Sequence, residues 1–162
     1  MKYITLMAGI IYMMSVIQPI KAQDMDPKIT TFLMFEGQAE EAINFYTSLF
    51  DDSEIVRVIK YGSDGPGGPE AEGTVNNALF TLKGQQYMAF DSYIEHGFTF
   101  TPSISLFVHC DSEEELETLY EKLMEGGTAA MPLGDYGFST KFGWVQDRFG
   151  VSWQLNYGEL KF

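Results

Sequence analysis

Phe142–Tyr157 reads FGWVQDRFGVSWQLNY. Val145, Val151, Trp153 and Leu155 are strand formers, and Ser152, Gln154 and Asn156 alternate with the last three. The segment predicts two strands around a tight turn at Asp147-Arg148-Phe149-Gly150. In a strand of period two, Trp153 and Leu155 share an apolar face. Gln154 stands on the other face with a polar residue on either side. What Gln154 touches is therefore the functional question.

Upstream, the same logic divides the chain. Ile29–Glu36 is a strand ended by Gly37. Gln38–Phe50 places Ala39, Ala42, Ile43, Tyr46, Leu49 and Phe50 on one face at helical spacing. Glu54–Tyr61 is a second strand. Gly62–Gly73, GSDGPGGPEAEG, is a loop by composition and reads as a flexible hairpin tip or lid. It lacks the Gly-Lys-Ser/Thr ending of a phosphate loop and carries acids where a phosphate wants a cation. Thr74–Leu82 and Gln86–Phe90 make a hairpin, and Asp91–Pro102 crosses to a second half.

That half opens with a strand at Ser103–His109. Ser112 and Glu115 form a capping box at the head of a helix whose apolar face is Leu116, Leu119, Tyr120 and Leu123. Gly126-Gly127 ends it, Thr128–Met131 is a short strand, and Pro132–Phe138 is a loop before the closing hairpin. A shift of 73 residues lays Leu33 on Leu106, Glu40-Glu41 on Glu113-Glu114 and Ile43 on Leu116. Each half thus reads βαβββ, over residues 29–91 and 103–157. Neither unit covers both faces of its own sheet. Together they predict an α+β fold: one curved mixed sheet with a central cleft and helices on its outer face.

The first 22 residues read as a targeting segment. Lys2 is followed by an uncharged apolar run, Ile4–Ile17, and small Ala22 offers a cleavage position. The run is short of the roughly 20 residues a membrane span needs; an uncleaved anchor is the alternative. Cleavage takes 22 of 162 residues with Lys2 and Lys21, leaving 140 residues and moving the net charge from −13 to −15. An exported single domain, periplasmic or secreted and free of the membrane after cleavage, follows. So acidic a surface repels phosphate backbones, which excludes nucleic acid as a partner. Cys110 is the only cysteine, so no intrachain disulfide forms and the core alone carries the fold.

Two motifs carry a family resemblance: Phe35-Glu36-Gly37-Gln38-Ala39-Glu40-Glu41-Ala42 with Phe45-Tyr46, and Phe142-Gly143-Trp144 through Asp147-Arg148-Phe149-Gly150-Val151-Ser152-Trp153-Gln154. With them the chain resembles the vicinal oxygen chelate superfamily of glyoxalase I, bleomycin-resistance proteins and extradiol dioxygenases, and most nearly its PhnB-like branch. The resemblance covers nearly all of the mature chain and implies a homodimer. Some members of that branch carry a demethylubiquinone-methyltransferase label, but no glycine-rich nucleotide-binding fingerprint occurs here. Metal-dependent members hold their ion with His and Glu side chains from four strands. Carried over, those places are Thr30 (or Thr31), Met88, Ser103 and Gln154. A hydroxyl, a thioether, a second hydroxyl and an amide do not offset a divalent ion's lost hydration, so no metal and no cofactor are expected there.

Other candidate chemistry is sparse. His109 and Cys110 are adjacent on a strand and point to opposite faces, so they do not form a nucleophilic pair. His96, His109 and Asp91 are the candidates for an off-register metal site, against the plainer reading of solvated strand-end and loop residues. If Gln154 points into the cleft, so do Ser152 and Asn156. Ser103, Ser105 and Phe107 would join them from the fifth strand, Thr30, Phe32 and Met34 from the first, and Met88 and Phe90 from the fourth. That is an apolar pocket with a few uncharged polar groups, the make-up of a small-molecule site. The competing reading is that these side chains fill the cleft. The expected function is an exported, metal-free, small-molecule-binding protein with an unspecified ligand. The alternatives are a metal-dependent lyase, isomerase or dioxygenase with non-standard ligands, and a non-catalytic structural or partner-binding module.

Overall fold

The computed structural model describes residues 29–161; the expected targeting segment lies outside them. The first half contains β1 (Thr31–Phe35), α1 (Ala39–Leu49), β2 (Glu54–Lys60), the one-turn α2 (Gly68–Ala71), β3 (Val75–Leu82) and β4 (Gln85–Asp91). The second contains β5 (Leu106–Cys110), α3 (Glu113–Met124), β6 (Thr128–Gly134), β7 (Lys141–Gln146) and β8 (Ser152–Tyr157). Each half builds its own four-stranded sheet, ordered β1-β4-β3-β2 and β5-β8-β7-β6. In both, the first strand pairs parallel with the last and the remaining pairs are antiparallel. The expected α+β duplication of βαβββ units is what the chain forms.

Alternation sorts the strand residues by face. In the first sheet Leu33, Phe35, Ala78, Phe80, Tyr87 and Ala89 are buried together with Ala42, Ile43 and Tyr46 of α1. In the second, Val145, Trp153 and Leu155 are buried with Leu116, Leu119 and Leu123 of α3. One core joins the two halves: the Trp153 ring lies 5.1 Å from Tyr46 and 5.9 Å from Phe50, both on the first helix side. Gly143 explains part of the Phe142-Gly143-Trp144 motif. A Cβ there would stand 2.8 Å from Tyr120 and Leu133, so the helix closes on β7 only over a strand position without a side chain.

The Asp147–Gly150 turn is built around a buried carboxylate. Asp147 Oδ1 accepts the Phe149 and Val151 N–H groups at 2.9 and 3.0 Å. Its Oδ2 accepts the Tyr46 hydroxyl and the Trp153 indole N–H, both at 2.8 Å. Gly150 closes the turn at φ 87°, a left-handed conformation costly for a side-chain-bearing residue. The motif is thus a clamp that ties the second hairpin to α1.

Four local expectations change. β1 begins at Thr31 and leaves Ile29 exposed. β5 begins at Leu106, so Ser103 and Ser105 precede the strand. Pro102 cannot donate to a ladder, and a turn bond from Ile104 N–H to the Thr101 carbonyl takes its place. β6 continues through Pro132 to Gly134, which an edge strand tolerates. The Gly62–Gly73 loop is not a free tip. Tyr61 exchanges backbone bonds with Gly73 and Thr74, Ala71 is buried, and a Cβ on Gly67 would lie 2.7 Å from Tyr93.

Candidate functional site

Opposite its helix, each sheet has a second face. On the first sheet Phe32 pairs across Met88 with Leu79, and Met34 pairs with Phe90. Phe32 and Phe90 touch, ring centroids 5.1 Å apart, and Phe32 is 52% exposed. On the second sheet one row runs Phe107–Gln154–Trp144–Met131. Tyr136 and Phe138 pack over one corner of that face, against Phe142.

The residues singled out from sequence fall into these two groups. Phe32, Met88 and Phe90 lie together on the first sheet. Ser152, Gln154, Asn156 and Phe107 lie on the second, with Ser105 just before β5. Ser152 is buried, accepts the Trp144 indole N–H at 2.8 Å and lies 2.7 Å from the Ser105 hydroxyl. Asn156 is buried and donates to the Gly158 carbonyl at 3.0 Å, while its Oδ1 finds no partner among the described residues. Ser103 stays in the exposed crossing, 2.5 Å from the Thr101 hydroxyl. Gln154 sits half-buried in its row.

A cavity of about 410 Å³ lies elsewhere, between the two halves. It runs along all of β1 and is walled by the crossing residues Phe98–Thr101, by Ile104 and Leu106, and by Phe149, Val151 and Ser152. Of the side chains expected to line the cleft, Phe32, Met34 and Ser152 line this cavity. Phe98, Phe100, Phe149 and Val151 join them; the sequence marks Phe149 and Val151 only as turn, strand and motif residues. The alternating Phe98-Thr99-Phe100-Thr101 was the available signal, masked because the segment reads as a connection. Among the described residues no Lys, Arg or His lines the cavity and Glu36 is the one carboxylate; its Oε1 accepts the His96 backbone N–H at 3.0 Å.

The four places at which metal-dependent relatives hold an ion do not fit one here. Ser103 is bonded to Thr101, and all four donors are neutral. Among the described residues no three His, Cys, Asp or Glu side chains gather. Asp91 is buried, not solvated. It accepts the Ala39 N–H and the Val75 N–H, each at 2.9 Å, and so caps α1. His96 is bonded to Ser92, and His109 is exposed on β5. Cys110 is buried, and burial followed by the nearby Glu115 charge pushes its thiol up to about 12, which removes it as a nucleophile.

A family model described as 3-demethylubiquinone-9 3-methyltransferase matches residues 27–156. Among solved structures, a PhnB protein from Bacillus cereus is 60% identical over 81% of this chain and 99% of its own, with a TM-score of 0.77. A glyoxylase/bleomycin resistance protein/dioxygenase domain from Frankia is 14% identical over 83% of this chain and 99% of its own, TM-score 0.58. The fosfomycin resistance protein FosX of Listeria monocytogenes, solved with Mn(II) and dihydroxypropylphosphonic acid, is 10% identical over 82% and 93%, TM-score 0.55. The last two share the fold alone. No curated protein matches.

Proposed function

Because the chain belongs to the family described as 3-demethylubiquinone-9 3-methyltransferase, the PhnB-like branch of the vicinal oxygen chelate superfamily, we propose that it binds a small apolar molecule without a metal ion. The observation that carries this is the 410 Å³ cavity beside β1, within the roughly 300–1,000 Å³ range of ligand pockets. Its walls are aromatic and aliphatic, with Thr31, Thr99, Thr101, Ser152 and Gln38 as uncharged polar groups. Methyl transfer, which the family's description names, needs a methyl donor held beside its acceptor, and the sequence offers no glycine-rich nucleotide fingerprint for one. Thr30, Met88, Ser103 and Gln154 offer no carboxylate or imidazole for a divalent ion such as the Mn(II) bound to FosX.

The test is a fluorescence titration with the neutral dye N-phenyl-1-naphthylamine. Saturable one-site binding is expected, unchanged by a chelator and weakened severalfold in a Phe98→Ala, Ile104→Ala double variant. Both side chains are exposed, so the fold is spared. No saturable binding, or a divalent ion that survives dialysis and is needed for binding, overturns the reading. Export and homodimer formation belong to the same proposal. Export predicts a mature protein beginning at Gln23, read by N-terminal sequencing.

A further inference from the structure

The shape of the cavity says more than its volume. Successive strand residues point to opposite faces. A cavity that touches Thr31, Phe32, Leu33, Met34 and Phe35 in succession therefore lies along the edge of β1, not over either face. No β4 residue lines it, so the edge is the one turned away from β4. β5, which supplies Leu106 to the opposite wall, is likewise the outermost strand of its sheet.

The phase of the ladder identifies the groups on that edge. Ser92 N–H donates to the Phe35 carbonyl at 2.7 Å, directly beyond the Phe35–Asp91 pair. In a parallel ladder, alternate residues of a strand bond the same neighbour. Thr31, Leu33 and Phe35 therefore bond β4, and Phe32 and Met34 turn their N–H and C=O groups toward the cavity. β1 pairs with β4 alone, so neither backbone takes a strand partner among the described residues. With Phe32 52% exposed, these two donors and two acceptors are left to water, which a ligand carrying their complements can replace.

We propose that the cavity takes a short extended peptide, which adds to the free edge of β1 as a further strand. The inference rests on the reading that this cavity binds a ligand. The five residues of β1 span about 16 Å at the usual rise per residue, the length of a peptide of three to five residues. Such a peptide pairs its amides with Phe32 and Met34 and turns alternate side chains toward Phe98 and toward Phe149. Its side chains are apolar, with neutral or basic ones tolerated. Glu36 and the net charge of −13 disfavour acidic ones, and among the described residues no cation lines the cavity.

Backbone exchange tests this directly. With the acetylated and amidated tripeptide Val-Phe-Val added to the full protein, hydrogen exchange at the Phe32 and Met34 N–H groups is expected to slow about tenfold or more, while Leu33, already bonded to β4, does not change. The same peptide N-methylated at its central amide is expected to bind about tenfold more weakly, one hydrogen bond's worth. If N-phenyl-1-naphthylamine binds but the tripeptide does not, or if N-methylation costs nothing, the strand-addition proposal falls and the cavity reading survives. If neither dye nor peptide binds, both fall. Protection of Phe32 and Met34 without peptide, rising with protein concentration, assigns the edge to a second copy and also overturns the proposal.

Discussion

Asp147 is the residue on which most of the second motif converges. Its two oxygens receive four donors, one from α1, one from β8 and two from the turn itself. An amide cannot replace it, because either orientation turns an N–H toward two N–H or O–H donors. Asp147→Asn is therefore expected to cost about 3 kcal/mol or more, and Tyr46→Phe, which removes one donor, about 1.5–3 kcal/mol. Urea unfolding of the two variants checks the order. Burial, then Asp147, holds the Tyr46 phenol well above its ordinary value of 10.0. The folded value being raised, the contribution of Tyr46 is whole below the unfolded value and is lost as pH rises through the folded one. Stability should thus fall above pH 10, and Tyr46→Phe should flatten that fall, measured as urea midpoints across the alkaline range. Cys110 offers a separate check. With its thiol near 12, alkylation at pH 8 should run about a hundredfold slower in the folded protein than in urea.

The two long helices begin in different ways, and the difference explains what the sequence could reveal. α3 starts with a local device: the Ser112 hydroxyl accepts the Glu115 N–H at 3.0 Å, as the Ser112–Glu115 spacing predicts. The reciprocal bond shifts by one residue, with Glu115 Oε2 accepting the Asp111 N–H at 2.6 Å. α1 starts at Gln38, whose side chain makes no cap bond. Its cap is Asp91, 52 residues away at the end of β4, bonded to Ala39 and also to Val75. A capping box lies within four residues and is legible. A cap supplied by another strand is set by the parallel pairing of β1 with β4, which no local pattern records, so Asp91 reads wrongly as solvated. Ser112→Ala should cost about 1 kcal/mol. Asp91→Ala leaves two buried N–H groups unpaired and should cost about 2–4 kcal/mol, with thermal unfolding as the measurement. The cavity was illegible for a related reason: the alternation that assigns a residue to a face says nothing about a strand's edge.

At the scale of the whole molecule, alternation did place Phe32, Met88 and Phe90 on one face and Gln154 and Phe107 on another. The duplication could not say whether those faces meet. They belong to separate sheets, and exposed Phe32, Phe107 and Ile59 leave each face with apolar surface in water. Contiguous patches of that kind mark interaction sites. The homodimer proposed above satisfies both faces at once if the first sheet of one copy is laid against the second sheet of the other. That arrangement brings the aromatic row of Phe32 and Phe90 over the Phe107–Gln154–Trp144 row. Two equivalent contacts then form about one two-fold axis, a closed rather than an open assembly. A single charge on either face disrupts both contacts, because each face occurs in both. Phe107→Glu and Phe32→Glu are each expected to convert a dimer to a monomer by light scattering, with circular dichroism unchanged, since both side chains are exposed within the chain. Gln154→Ala should leave the dimer intact. A wild-type protein that is monomeric at high concentration, or a dimer indifferent to both glutamates, would remove the pairing of the faces and leave the β1 cavity as a site complete within one chain.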